Sequence, residues 1–332
     1  MHLVQPQTGA FDLEAIRSQL GDDWGAVNRE ILSQLKSDVA LVGSVAHYII
    51  GSGGKRLRPL LVLLSARACG YTHDQHVRAA AIIEFIHTAT LLHDDVVDDS
   101  QLRRGQNTAN NVFGNEASVL VGDFLYSRAF QLMVEVGQMR IMDVLAEATN
   151  TIAEGEVLQL MNCRNPDTTE SQYLEVIYRK TAKLFEAGVV IGAILADQTR
   201  AVEDALMEYG KQLGIAFQLV DDALDYDANL DLLGKNIGDD LAEGKPTLPL
   251  IYALQRGTPA QQIIIREAIE HGGRKEIDAI MVAIKETGAL AYTVSRAREA
   301  ANAAIAALER VPDSEYKASL SALAEFAVDR RF

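Results

Sequence analysis

Apolar residues recur at intervals of three and four along most of the chain, and nowhere does an alternation of apolar and polar positions run long enough to make a strand. That period gives each segment one apolar stripe, as a helix needs to bury one side. The pattern predicts helices over residues 12-19, 25-36, 38-51, 57-69, 74-97, 107-111, 116-136, 139-162, 170-195, 201-226, 247-254, 259-271, 274-285, 288-304 and 314-328. Proline stands only at positions 6, 59, 166, 246, 249, 259 and 312, so the long spans between 59 and 166 and between 166 and 246, rich in Ala, Leu, Glu, Gln and Met, meet no helix breaker. Glycines 70, 114, 137, 188, 210 and 244 fall near several proposed ends, where C-terminal caps belong. The fold class is all-α. No shift in composition marks a linker, so residues 1-332 are expected to form a single helical domain, with 1-24 as an N-terminal extension.

Composition narrows the function. A hydrophobic content of 48% over 332 residues suffices for a large core. Against 46 Asp and Glu stand 31 Lys and Arg, a formal net charge of -15 that disfavours nucleic acid as a partner, and an aromatic content of 6% argues against base stacking. Cys69 and Cys163 lie far apart, form no metal-ligand pattern and are expected to be reduced thiols. Met1 to Gln19 holds no basic stretch followed by an apolar run, and 18 apolar residues never come in succession, so the expectation is a cytoplasmic protein with no transmembrane segment.

The densest chemistry is His93-Asp94-Asp95-Val96-Val97-Asp98-Asp99, at the end of the 74-97 helix. Asp94 and Asp98 are four apart and Asp95 and Asp98 three apart, so on a helix three carboxylates share one face and repel one another by roughly a few tenths of a kcal/mol per pair. The spacing recurs at Asp221-Asp222-Ala223-Leu224-Asp225. A solvated acidic face would give the same letters. The neighbours argue otherwise: Leu91, Leu92, Val96 and Val97 around the first cluster and Phe217, Leu219, Val220, Ala223 and Leu224 around the second anchor both helices in a core. The carboxylates then line a cleft. Hard oxygen donors with no cysteine nearby favour Mg²⁺, which proteins hold by one or two carboxylates with water and substrate phosphates completing its shell. A phosphorylated ligand follows.

Cations stand beside the carboxylates. Gly53-Gly54-Lys55-Arg56-Leu57-Arg58-Pro59 places three of them at a helix start, where free backbone N-H groups add to an anion site. Arg103-Arg104-Gly105 follows the first cluster, Arg179-Lys180-Thr181 lies within the 170-195 helix, and Lys235 and Lys245 flank Asp239-Asp240 in a glycine-punctuated loop. Arginine forks suit phosphate oxygens. No Gly-x-x-x-x-Gly-Lys-Ser/Thr loop and no strand-glycine-helix unit is present, which disfavours a nucleotide. Two diphosphates are the simpler inference, one bridged by Mg²⁺ between the aspartate clusters and one held directly by Lys55, Arg58 and Arg104.

At these residues the chain resembles the trans-prenyl diphosphate synthases, whose two aspartate-rich motifs read DDxxD. Gly53 to Pro59, Phe85-Ile86-His87-Thr88, Leu92 to Asp98, Arg103-Arg104-Gly105, Lys180-Thr181, Phe217 to Asp222, and Gly234-Lys235-Asn236 through Gly244-Lys245-Pro246-Thr247 match in order, from about residue 25 to the C-terminus. The resemblance implies an isoprenoid-synthase-type helical bundle around a deep central cavity, a homodimer, and two to three Mg²⁺ per active site. It also implies roles. Asp94, Asp95, Asp98, Asp221, Asp222 and Asp225 would hold metal; Arg103, Lys180, Thr181, Gln218 and Lys235 would contact the allylic diphosphate; Lys55, Arg58, His87 and Arg104 would hold isopentenyl diphosphate. Asp94, Asp95, Asp98, Asp221, Asp222 and Lys180 would be catalytic. His87, seven before Asp94, lies two turns back on the same face. The role of His93 stays open.

Chain length would be set by whatever closes the channel beneath the first aspartates. Thr90 and Ala89 lie four and five positions before Asp94, with Ile86 and Ile83 further back, and short-chain members carry bulky aromatics at the first of these places. Here nothing bulky stands there. The 74-97 helix spans roughly 35 Å at 1.5 Å per residue, about the reach of eight isoprene units. The expected product is therefore long, with the floor at Phe130 or Met133; the resemblance, nearest to long-chain members that supply quinone side chains, implies octaprenyl diphosphate made from farnesyl diphosphate, with a nonaprenyl product as the alternative.

Other classes fit fewer residues. Glu84-Phe85-Ile86-His87 matches the Glu-x-x-His of di-metal oxidases, but no second copy exists. His93-Asp94 alone would suit a metal phosphohydrolase and leaves Gly53 to Pro59 unexplained. A non-catalytic subunit of a heteromeric synthase would have lost one aspartate motif, and Asp221-Asp222-Ala223-Leu224-Asp225 differs from the second site of terpene cyclases.

Overall fold

The computed structural model describes residues 12-103, 105-227, 237-272 and 275-329. The helices run α1 Leu13–Gln19, α2 Asp22–Gln34, α3 Ala40–Gly51, α4 Leu57–Ala68, α5 Gln75–Val97, α6 Ala109–Phe113, α7 Asn115–Val136, α8 Met139–Asn162, α9 Glu170–Ile177, α10 Lys183–Leu195, α11 Arg200–Leu224, α12 Asp239–Ala242, α13 Leu248–Arg256, α14 Pro259–His271, α15 Ile277–Thr287, α16 Ala289–Ala307 and α17 Glu315–Asp329. The sole strands among the described residues, β1 Leu102–Arg103 and β2 Gln106–Asn107, pair antiparallel as a hairpin. The fold is all-α, as the period implied.

Burial sorts the helices into layers. Every residue of α10 from Lys183 to Leu195 is buried, and α4 is buried from Pro59 to Ala66, so both are central. α5 joins them through Ile82, Ile83, Phe85, Ile86, Ala89 and Leu92, each fully buried. α7 packs along the outer side of α5, α11 along α10, and α16 and α17 cover α11 and α4. Local chemistry sets the boundaries. Thr169 and Gln172 form a capping box at the start of α9, Thr258 and Gln261 another at α14, and Pro259 takes the first helical position there.

Three elements escaped the periodic reading. The 170-195 segment is helical throughout but widens to a π-turn over Tyr178–Ala182. α12, only four residues long, replaces part of the expected loop, and the hairpin follows α5. No described helix is long and apolar enough to cross a membrane. Cys69 is buried, Cys163 is half-buried, and neither is in a disulfide.

Candidate active site

α5, α8, α9, the π-turn and α11 surround a cavity of about 620 Å³ that the Gly53 to Arg58 segment, Asp240 and Lys245 to Thr247 also line. Its apolar wall includes Leu91, Ile152, Val176, Ile177, Leu184 and Phe217. The expected Lys55, Arg58, His87, Thr90, Asp94, Asp98, Arg103, Lys180, Thr181, Gln218, Asp221 and Asp222 all face it. Residues from 55 to 222 thus meet in one space.

The π-turn fixes Lys180 and Thr181. An extra residue in a helical turn is a frequent feature of functional sites, and here two glycines admit it. A Cβ on Gly155 of α8 would stand 2.8 Å from the Lys180 amide nitrogen, and one on Gly214 of α11 would stand 2.5 Å from the Ala182 Cα, so both helices close on the turn. Thr181 donates to the Gln218 side-chain carbonyl at 3.0 Å, and Gln218 donates in turn to Asp222 at 2.7 Å. Tyr173 donates to the other Asp222 oxygen at 2.6 Å. Burial, reinforced by Asp221 and Asp225, pushes the Asp222 carboxyl up to about 7.

Two lysines answer the first cluster. Lys180 Nζ lies 3.6 Å from Asp94 and 2.6 Å from Glu156; Lys245 Nζ lies 2.8 Å from Asp98 and 2.6 Å from Glu243. Burial raises the Asp94 carboxyl, and Lys180 offsets only part of this. Burial alone would lower both lysines, yet the surrounding carboxylates hold each above its ordinary value. Elsewhere on the wall, Arg58 Nη1 is 3.0 Å from His87 Nε2, and its guanidinium sits 4.5 Å over the Phe185 ring. The Lys55 ammonium lies 5.0 Å over Phe326 of α17.

Several expected residues stand elsewhere. Asp95 is fully buried off the cavity wall, its Oδ1 accepting from Arg103 Nε at 2.8 Å and lying 2.6 Å from Nη2, so it aims Arg103 rather than facing a metal. Asp225 accepts from the backbone N-H groups of Asp239 and Asp240 at 3.1 and 3.2 Å, capping α12 instead of lining the cavity. Ala89, Ile86 and Met133 are packed in the core, and Phe130 is 44% exposed, so none of them bounds the cavity. Arg104 and Lys235 lie outside the described residues. His93 is 3.2 Å from the Val119 carbonyl and stacks with Tyr126, off the cavity wall.

The structure adds Glu84, Glu156, Tyr173, Asp240 and Lys245 to the wall. Asp240 and Lys245 had a signal in the second-cluster loop; Glu156 had none, because its pairing with Lys180 spans 24 positions. Among the described residues no three His, Cys, Asp or Glu side chains converge on one metal position. That agrees with a cation that takes part of its shell from substrate phosphates.

A family model described as polyprenyl synthetase matches residues 39-287. The chain is 54% identical over 321 residues to the octaprenyl diphosphate synthase of Escherichia coli (strain K12), covering 96% of this chain and 99% of that protein. It is 46% identical over 316 residues to the all-trans-nonaprenyl-diphosphate synthase (geranyl-diphosphate specific) of Rhodobacter capsulatus, covering 95% and 97%. The crystal structure of a polyprenyl synthase from Caulobacter crescentus CB15, complexed with calcium and isoprenyl diphosphate, superposes with a TM-score of 0.92 at 45% identity over 98% of this chain and 99% of that one.

Proposed function

The chain belongs to the polyprenyl synthetase family and is a prenyltransferase, and from that premise we propose that it condenses isopentenyl diphosphate onto farnesyl diphosphate until octaprenyl diphosphate is made. The observation that carries this reading is the meeting of Asp94 and Asp98 at the end of α5 with Asp221 and Asp222 of α11 around one cavity that Lys180, Arg103, Arg58 and His87 also line. The relative at 54% identity carries the octaprenyl name, and the one at 46% the nonaprenyl name.

The donors fit Mg²⁺. All are carboxylate oxygens, and the largely buried lysines beside Asp94 and Asp98 stand where positive charge is wanted. When bound, two to three Mg²⁺ per site would neutralise the allylic diphosphate as it departs. Arg103, aimed by Asp95, would grip that diphosphate together with Lys180, Thr181 and Gln218, and Lys235 would join them. Lys55, Arg58, His87 and Arg104 would hold isopentenyl diphosphate with its double bond toward the allylic carbon.

The allylic C-O bond breaks with its electron pair going to the diphosphate oxygen. The isopentenyl double bond then attacks the allylic cation, and a proton leaves to the released diphosphate, adding five carbons. Leu91, Ile152, Val176 and Phe217 keep water from the cation. The same reading makes the protein a cytoplasmic homodimer whose product becomes a quinone side chain.

The test is mass spectrometry of products from purified protein, farnesyl diphosphate, isopentenyl diphosphate and Mg²⁺, with an EDTA control. Eight units made only with Mg²⁺ is the expected result. Nine units would replace the product and keep the reaction; no elongation from any allylic starter would overturn the reading.

A further inference from the structure

Building on the reaction just described, we propose that Glu156 is a positioning residue that holds the Lys180 ammonium away from Asp94, leaving this carboxylate available to Mg²⁺ and diphosphate. Glu156 faces the cavity from α8, and Lys180 Nζ lies 2.6 Å from it but 3.6 Å from Asp94. The lysine is therefore anchored to the glutamate and only leans toward the aspartate.

The placement is built into the backbone. Gly155 lets α8 approach the π-turn so closely that a Cβ there would stand 2.8 Å from Lys180 N, which brings the next residue, Glu156, onto the ammonium. On the other side of this crossing, Glu154 pairs with Arg179 at 2.6 Å, so three consecutive residues of α8 clamp two of the π-turn. Lysine is a compact charge on a flexible stem and moves to the nearest anion if nothing restrains it. Without Glu156, Asp94 at 3.6 Å is the carboxylate left beside it. Lys245 differs: it donates directly to Asp98 at 2.8 Å while pairing with Glu243 at 2.6 Å, so the separation from the aspartate is particular to Lys180.

The experiment measures Mn²⁺ binding by electron paramagnetic resonance, in the presence of inorganic diphosphate, to the wild type, Glu156→Gln, Lys180→Gln and the double variant. Glu156→Gln is expected to weaken Mn²⁺ binding about tenfold, the size of effect typical of a group that orients metal ligands. In the Lys180→Gln background the same substitution is expected to add no further loss, because the two act as a unit. Glu156→Asp, a milder change that keeps the charge, should give an intermediate value if Glu156→Gln fails to fold.

An equal loss in both backgrounds would show that Glu156 acts without Lys180, and no loss in either would show that it does not control the site; each overturns the proposal. Failure of the reaction itself is read separately. A wild type that binds Mn²⁺ and diphosphate yet makes no polyprenyl product contradicts the reading above, whereas an active wild type with an unaffected Glu156→Gln contradicts the positioning role alone.

Discussion

The Lys245 ammonium lies 2.8 Å from the Asp98 carboxylate across 147 positions of sequence, tying the first aspartate motif to the loop that follows the second. Carboxylates on three sides keep it charged despite burial. It is thus a fixed positive charge beside Asp98 in the cavity, and Lys245→Met should lower kcat by about 10²-fold, the scale seen when one stabilising donor is lost. Steady-state kinetics with each substrate varied in turn should show the loss in kcat, with KM for isopentenyl diphosphate little changed.

The Arg58 and His87 pair should respond in the opposite sense. His87 is held by Arg58 at 3.0 Å, and Arg58 by the face of Phe185, which under the proposed reading presets His87 for the isopentenyl diphosphate. His87→Ala should raise KM for isopentenyl diphosphate about tenfold or more, the worth of one hydrogen bond to a charged group, while KM for the allylic substrate stays near its starting value.

How much of this was legible in the sequence depends on distance along the chain. The helices were readable because their period is local, and Asp94, Asp98, Asp221 and Asp222 because their spacing is. The π-turn was not, since one extra residue in a turn barely disturbs an apolar stripe. Nor could spacing distinguish Asp94, which faces the cavity, from Asp95, which turns inward to Arg103 eight residues on. Neighbouring residues on a helix point about 100° apart, and the decision between them belongs to the partner. Glu156 shows the limit most clearly: its role exists only where α8 crosses the π-turn.

One network between α2, α4 and α5 should lose its own contribution to stability on acidification in two steps, against the opposite gain from raised carboxyls such as Asp222. Arg67 donates to both Asp23 oxygens at 2.7 and 2.8 Å, and His76 Nε2 lies 2.9 Å from the same carboxylate. Burial holds the His76 imidazole below its ordinary value, against the pull of Asp23. The Asp23 carboxyl is also held low, burial opposing and the bonds from Arg67 and His76 prevailing. In both cases the unfolded chain binds more protons than the folded one. The network's share of the melting temperature, read as wild type minus variant, should therefore shrink first as pH falls below about 6.5, the unfolded value of histidine, and again below about 3.9, that of aspartate. His76→Gln should remove the first step and leave the second, as followed by circular dichroism melts.

Product length turns on where the channel leaves the cavity. Thr90 lines the wall, but Ala89, Ile86 and Ile83 are fully buried and Met133 is 1% exposed, so the space beneath the aspartates is filled by packed side chains of α5 and α7. From Thr90 back to Ile83 is roughly 10 Å of helix, about two isoprene units. A chain growing along α5 must part these side chains, whereas one leaving along α8 or α9 would not touch them. Thr90→Tyr puts its ring straight into the cavity and should shorten the product by mass spectrometry in either case. Ala89→Tyr overpacks the core at a cost of about 1–3 kcal/mol, and it should shorten the product only if the chain passes between α5 and α7. Shortening by both substitutions is the expected outcome; shortening by Thr90→Tyr alone, with Ala89→Tyr folded and making full-length product, would move the channel and its floor away from Met133.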